Sequence, residues 1–150
     1  MVEYITPDFD DFVSLIKHFE GYSATPYICP GGVKTIGYGH TGKDVIDGME
    51  ITEEQGEQLL IEDLKEHQGY VDSFFKSIPL KENQIGALVS FCFNLGPGNL
   101  GKSSLKRRLL AGEDPNTVAR EEIPKWNKAA GQVLRGLVRR RKAEVDFFCK

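Results

Sequence analysis

The segment from Thr25 to Gly48 cannot be a helix. Pro26, Pro30, Gly31, Gly32, Gly37, Gly39 and Gly42 interrupt it and leave only short runs such as VKTIGYG. Proline removes a backbone donor and glycine weakens regular helix. The grammar is that of a small, tightly turned antiparallel sheet. The flanks read differently. Thr6 and Pro7 have the form of an N-cap followed by proline at the first helical position. Asp8, Asp10 and Asp11 suit the same helix N-terminus. Phe9, Val13 and Ile16 fall on one stripe, with Phe12 and Phe19 beside it; Glu20 continues the stripe and Gly21 stops it. Thr52-Glu53-Glu54-Gln55 is a capping box that opens a long helix, with Leu59, Leu60, Leu64 and Val71 on its apolar face. Residues 76–81 are a linker turn. Beyond Lys81 the chain reads as helices: a stripe of Ile85, Leu88, Val89 and Cys92; a second of Leu105, Leu109 and Leu110 ending at Gly112; a last one from Leu134 to Phe148. Helix, small sheet, long helix and helical bundle make an α+β domain. Its small β-rich N-terminal lobe spans about 1–58 and its helical C-terminal lobe about 59–150, with the long helix joining them. A cleft between the lobes is the expected binding site.

A chain of 150 residues suits one such domain. Its charge is unevenly spread. Residues 1–100 hold 6 Lys/Arg and 16 Asp/Glu, a net of -10; residues 101–150 hold 13 and 6, a net of +7. Such asymmetry suits either an anionic partner or a solvated basic helix face. The dense run Arg139-Arg140-Arg141-Lys142 is read as pointing several ways, with one or two side chains toward the cleft. Nucleic acid is not the expected partner, because the first 100 residues are acidic and the run has no interleaved aromatics. MVEYITPDFDDF has neither a basic nor an apolar leader region, and no run is long and apolar enough to insert in a membrane. The expectation is a protein made and held in the cytoplasm. His18, His40 and His67 lack metal-ligand spacing, so neither metal nor other cofactor is expected. GPGNLGKS, residues 96–103, matches the phosphate-loop pattern to the letter, but its context fails. The segment before it, IGALVSFCFNL, has helical spacing where a strand is needed, and Pro97 removes a loop donor.

Glu20 is the carboxylate of most chemical interest. It closes a helix, where the dipole disfavours negative charge, and its stripe position implies partial burial. Both effects favour the protonated form that a general acid requires. An ordinary surface glutamate in a last turn would look the same by pattern alone.

HFEGYSATPYICPGGVKTIGYGHTG resembles the catalytic segment of the phage-type lysozymes, the endolysin muramidases. In that family a Glu follows an N-terminal helix. An acidic residue comes nine positions later and a Thr six after that, ahead of an I-G-x-G-H sequence. Here the positions hold Glu20, Cys29 and Thr35, then Ile36-Gly37-Tyr38-Gly39-His40. LKENQIGALVSFCFNLG, SSLKRRLLAG and KWNKAAGQVLRGLVRRRKAE are similar to later family segments, so the likeness covers most of the chain. It implies a lysozyme-like fold and hydrolysis of the β-1,4 bond between N-acetylmuramic acid and N-acetylglucosamine in bacterial peptidoglycan, lysing the host wall. Glu20 would be the general acid, and Thr35 would hold water or substrate. Cys29 stands where most members have Asp. A thiolate could replace that carboxylate only if its pKa falls below the ~8.5 of a free thiol. A neutral, half-buried thiol beside a weakened site is the competing reading.

By the same resemblance Phe93, Asn94 and Ser104 would line the cleft. His40 would be a hydrogen-bonding residue near the substrate, paired with an acid on the long helix, for which Asp63 is the candidate. Trp126 is read as a core anchor, Cys92 as a buried core residue, and Cys149 as the more available partner if Cys29 were oxidised. The expected partner is peptidoglycan, met by a monomer after another protein has permeabilised the membrane. Two rivals are a lytic transglycosylase using Glu20 alone to leave a 1,6-anhydro product, and a peptidoglycan-binding module without catalysis. A cysteine hydrolase lacks the His–Asn/Asp context around Cys29.

Overall fold

The computed structural model describes residues 5–29 and 31–150; residues 1–4 and Pro30, read above as turn punctuation, lie outside them. Helix α1 runs from Phe12 to Glu20. It starts at Phe12 rather than at Pro7, which corrects the expected N-terminus. Asp11 is the cap that forms: its backbone is extended and its carboxylate accepts the Ser14 N–H at 2.8 Å. Phe9 reaches the core from the irregular segment ahead of the helix, its ring 5.3 Å from that of His18. Gly21, at φ 67°, ends the helix and donates its N–H to the Lys17 carbonyl at 3.0 Å.

Three strands follow: β1 (Ser23–Ile28), β2 (Lys34–Gly37) and β3 (His40–Thr41), antiparallel and in sequence order. Tyr27 lies opposite Thr35 and Ile28 opposite Lys34, while Ile36 faces His40 on the next strand. The register slips between Ser23 and Tyr27, which bends β1. Helix α2 (Glu53–Phe74) opens with the expected capping box, Gln55 N–H to Thr52 Oγ1 at 3.1 Å and Thr52 N–H to Gln55 Oε1 at 2.9 Å. It runs unbroken through the anticipated lobe boundary.

Helix α3 (Glu82–Leu95) is the hub. Every residue from Gly86 to Cys92 is buried, so an amphipathic stripe understates it. Gly86 is required there, because a Cβ would sit 2.9 Å from that of Phe12. Around α3 pack α1, α2 and the C-terminal elements: α4 (Pro97–Lys102), α5 (Ser104–Leu110), α6 (Pro115–Glu122), a 3-10 turn (Ile123–Lys125), a hairpin of β4 (Lys128–Ala129) and β5 (Gln132–Val133), and α7 (Arg135–Phe148). Leu15, Ile16, Leu60, Val71, Leu88, Phe91 and Phe148 belong to one core, each worth about 1.5–3 kcal/mol when fully buried. Trp126 packs against it, edge-on to Phe91 at 5.7 Å. Gly96 joins two helices, so GPGNLGKS follows α3 and not a strand. No helix among the described residues is long and apolar enough to cross a membrane.

Candidate active site

A cleft of ≈ 820 Å³ opens where the three-stranded sheet, α2, the end of α3 and the β4–β5 region meet. Glu20, Cys29 and Thr35 all line it, so residues chosen from one linear segment converge in space. Glu20 is the last residue of α1, and its side chain keeps 17% of its exposure. Its Oε2 accepts from Arg140 Nη1 at 2.7 Å, across 120 positions of sequence. The guanidinium opposes the helix-end field, an influence that local spacing could not reveal. Gly39, at φ +80°, lets the β2–β3 turn press against the same carboxylate: a Cβ there would lie 2.5 Å from Glu20 Oε1.

Cys29 sits in the turn between β1 and β2. Its N–H donates to the Val33 carbonyl at 3.1 Å, and its own carbonyl accepts from Gly32 at 2.8 Å. The turn folds backbone donors toward the sulfur. The Val33 N–H holds the thiol below its ordinary range; burial works the other way; the Gly31 N–H and the Thr35 hydroxyl add to the lowering. Thr35 is buried, and its one hydroxyl proton has a second acceptor in the Val33 carbonyl at 3.0 Å, which competes with the sulfur. Tyr27 shares this wall; burial raises its phenol, and the charges of Glu20 and Cys29 push the same way.

The remaining expected residues divide. His40 Nδ1 lies 2.7 Å from Asp63, the anticipated partner, and Nε2 lies 2.9 Å from Asp44. Burial disfavours the imidazolium, but the two carboxylates outweigh it and raise the His40 pKa. Both ring nitrogens are thus occupied, and it is Asp63 that reaches the cleft lining. Phe93 and Asn94 line the cleft. Asn94 Oδ1 accepts from Arg141 Nη2 at 2.7 Å, which leaves its amide donors for a ligand. Ser104 does not join them. It is exposed at the start of α5 and outside the lining, because the neighbouring Ser103 turns inward as the cap of that helix.

Several lining residues escaped the sequence reading: Tyr27, Glu66 and His67 on one side, and Lys128, Leu134 and Leu137 on the other. The basic run also needs correction. Arg140 and Arg141 are 3% and 1% exposed, so half of the run enters the core and cannot offer a solvent face to an anionic partner. A signal was present: Arg140, Ala143, Glu144 and Phe147 repeat at one-face helical spacing, and all four are buried. The three cysteines are free, and among the described residues no group of side chains could hold a metal ion.

Comparison with known proteins meets this geometry. The family described as phage lysozyme matches residues 17–144. The chain belongs to the phage lysozyme family. It is 42% identical over 138 residues to an endolysin of Bacillus phage B103, covering 91% of this chain and 51% of that protein. An endolysin of Acyrthosiphon pisum secondary endosymbiont phage 1 is 38% identical, over 89% of this chain and 92% of its own. The chain thus spans about half the length of the Bacillus phage endolysins B103 and PZA, at 51% and 52%, and nearly all of the other. Among solved structures, the muramidase domain of SpmX from Asticaccaulis excentricus superposes with a TM-score of 0.83 at 36% identity, covering 97% of this chain and 99% of that one. The α+β fold is therefore the lysozyme fold.

Proposed function

We propose that the chain is a peptidoglycan muramidase that cleaves the β-1,4 bond between N-acetylmuramic acid and N-acetylglucosamine. The observation that carries this is the convergence of Glu20 and a Cys29 of lowered pKa on one cleft. Glu20 serves as general acid and protonates the departing glycosidic oxygen. As that bond lengthens, positive charge develops on the sugar ring, and the Cys29 thiolate stabilises it from the other side. The thiolate then either attacks the anomeric carbon, giving a glycosyl-enzyme whose carbon–sulfur bond is cleaved by a water that the now deprotonated Glu20 activates, or takes the proton of a water that attacks in its place. Thr35 keeps the thiolate or the water in place. Phe93 offers a stacking face, and Asn94 offers amide donors to acetamido or hydroxyl groups. The chain acts as a monomer and reaches the wall after another protein has permeabilised the membrane.

The test is digestion of purified Gram-negative peptidoglycan by the reduced protein, with the released muropeptides identified by mass spectrometry. Reducing-end muropeptides from the wild type, lost in both Glu20→Gln and Cys29→Ala, are expected. 1,6-anhydro products that persist in Cys29→Ala would replace hydrolysis with transglycosylation by Glu20 alone. Binding to the wall without release of fragments would leave a recognition module. A fall in turbidity of intact cells, with no permeabilising treatment, would remove the need for a second protein.

A further inference from the structure

Behind Glu20 the core contains a charge cluster that the catalytic scheme does not use. Arg140, Arg141 and Glu144 come from a single helix, and they are 3%, 1% and 0% exposed. Glu144 is the shared anion. It accepts from Ser90 Oγ at 2.6 Å, lies 2.7 Å from Arg141 Nε and 3.5 Å from Arg140 Nε, and receives Arg141 Nη2 at 3.1 Å. Two buried guanidinium cations therefore face one fully buried carboxylate. The second anion that balances them is Glu20, 2.7 Å from Arg140. When Glu20 is ionised the four charges cancel; when it is protonated one buried positive charge is in excess. Arg140 is thus shared between the proposed acid and the buried carboxylate.

The cluster also reaches the far side of the cleft, because Arg141 holds the Asn94 side chain and the Trp126 carbonyl. We infer that Glu144 is a positioning residue for the reaction: by sharing Arg140 and Arg141 it sets how strongly the core holds Glu20 as a carboxylate, and it ties Glu20 and Asn94 to one frame. The inference rests on the hydrolase reading for its catalytic meaning, although the titration it describes does not. Burial draws the Arg141 guanidinium below its ordinary value; Glu144 opposes this, the Arg140 charge adds to the lowering, and Glu20 opposes it more weakly. The charged and titratable groups that share the cluster or the cleft with Glu20 are Arg140 and Arg141 from α7, Tyr27 and Cys29 from β1 and its turn, Asp63, Glu66 and His67 on the α2 wall, and Lys128 from β4. Around Glu144 they are Arg140 and Arg141, with the Ser90 hydroxyl from α3 as a neutral donor.

A purely structural anchor between α7 and α3 would make any substitution harmful in the same way. A charge balance makes opposite substitutions act oppositely. The decisive measurement is carbon-13 NMR titration of the Glu20 carboxyl in the full chain, for wild type, Glu144→Gln and Arg141→Met. Glu144→Gln removes the shared anion and should move the Glu20 midpoint to lower pH by about one unit. Arg141→Met removes a cation and should move it to higher pH. In digestion assays Glu144→Gln should lower kcat at neutral pH about tenfold, through the smaller protonated fraction. Arg141→Met should also raise KM as Asn94 loses its anchor. Midpoints that stay put, or move in the same direction, overturn the inference. If Glu144→Gln does not fold, Arg141→Met decides alone, since there Glu144 keeps Arg140 and Ser90 as partners: an upward shift supports the inference and any other result overturns it. A wild type that releases no fragments would count against the hydrolase reading, while the NMR titration would still decide this one.

Discussion

A thiol can stand in for a carboxylate only if it ionises where the acid still holds its proton. Backbone donors, led by the Val33 N–H, move Cys29 toward that condition, and no basic neighbour is involved. Iodoacetamide should therefore alkylate Cys29 with a pH midpoint below that of a free thiol, ~8.5. Cys92 is pushed up to about 11 by burial, and burial also raises Cys149, so both should lag at neutral pH. Peptide mapping after brief labelling checks this, and equal labelling of Cys149 would remove the basis for a reactive thiolate. Because the folded pKa is the lower one, this contribution to stability is present above the unfolded value and fades as pH falls through the folded one. Gly39 packs against Glu20, the proposed general acid. Gly39→Ala forces a side chain into a φ of +80° and puts its Cβ 2.5 Å from Glu20 Oε1. Activity on peptidoglycan should fall at least about tenfold, because Glu20 must move. Full activity in a folded Gly39→Ala protein would show that the Glu20 position is not critical. At this scale the shared cleft position of Glu20, Cys29 and Thr35 was legible through the resemblance of one short segment. Arg140 was not, since its partner is 120 residues away and its charge argued for the surface.

At the scale of elements, end chemistry decided what could be read. The capping box of α2 was legible because both partners lie within four residues, whereas the start of α1 was misread because Thr6-Pro7 and Asp11 compete and only packing chooses. The hub α3 was underestimated, since a stripe cannot distinguish a helix covered on one side from one covered all round. Two glycines expose that difference. Gly86→Ala gains about 1 kcal/mol of helix propensity, but its Cβ meets that of Phe12 at 2.9 Å. Overpacking of this kind costs about 1–3 kcal/mol, so a net loss is expected. Gly69 of α2 has open space beside it, so Gly69→Ala should stabilise by up to about 1 kcal/mol. Urea midpoints moving in the same direction for both would contradict this packing. The tie between the sheet and α2 has a pH signature. His40 is raised by Asp63 and Asp44 against burial, so its stabilisation is complete below its unfolded pKa of ~6.5 and is lost as pH rises through the folded value. Burial raises the Asp63 carboxyl, so the pair needs a pH above that titration and below that of His40: Asp63→Asn should cost about 1–3 kcal/mol at mildly acidic pH and distinctly less at alkaline pH. A loss independent of pH would assign the effect to packing alone.

The last helix is tied to earlier elements of the chain by polar contacts. The Glu20–Arg140 pair joins the first helix to the last, and Asn83 donates to the carbonyl of Phe148 at 2.7 Å, tying the start of α3 to the end of α7. Tyr38 of the sheet region, Leu60 and Leu64 of α2, Phe91 of α3 and Phe148 of α7 belong to one apolar cluster, with no apolar break at the anticipated lobe boundary. A cleft framed by a sheet on one side and helices on the other suggests two units that could separate. A shared core and a long helix common to both oppose that. Urea unfolding should therefore be a single transition. Trp126 fluorescence reports the C-terminal elements through its contact with Phe91, and tyrosine absorbance is weighted to Tyr22, Tyr27 and Tyr38 around the sheet. The two midpoints should coincide, and Arg140→Met, which cuts the tie between the first and last helices, should shift both downward together. If tyrosine absorbance changed first, the sheet would be an independently unfolding unit, and the position of Cys29 relative to Glu20 would depend on local stability and not on the fold as a whole.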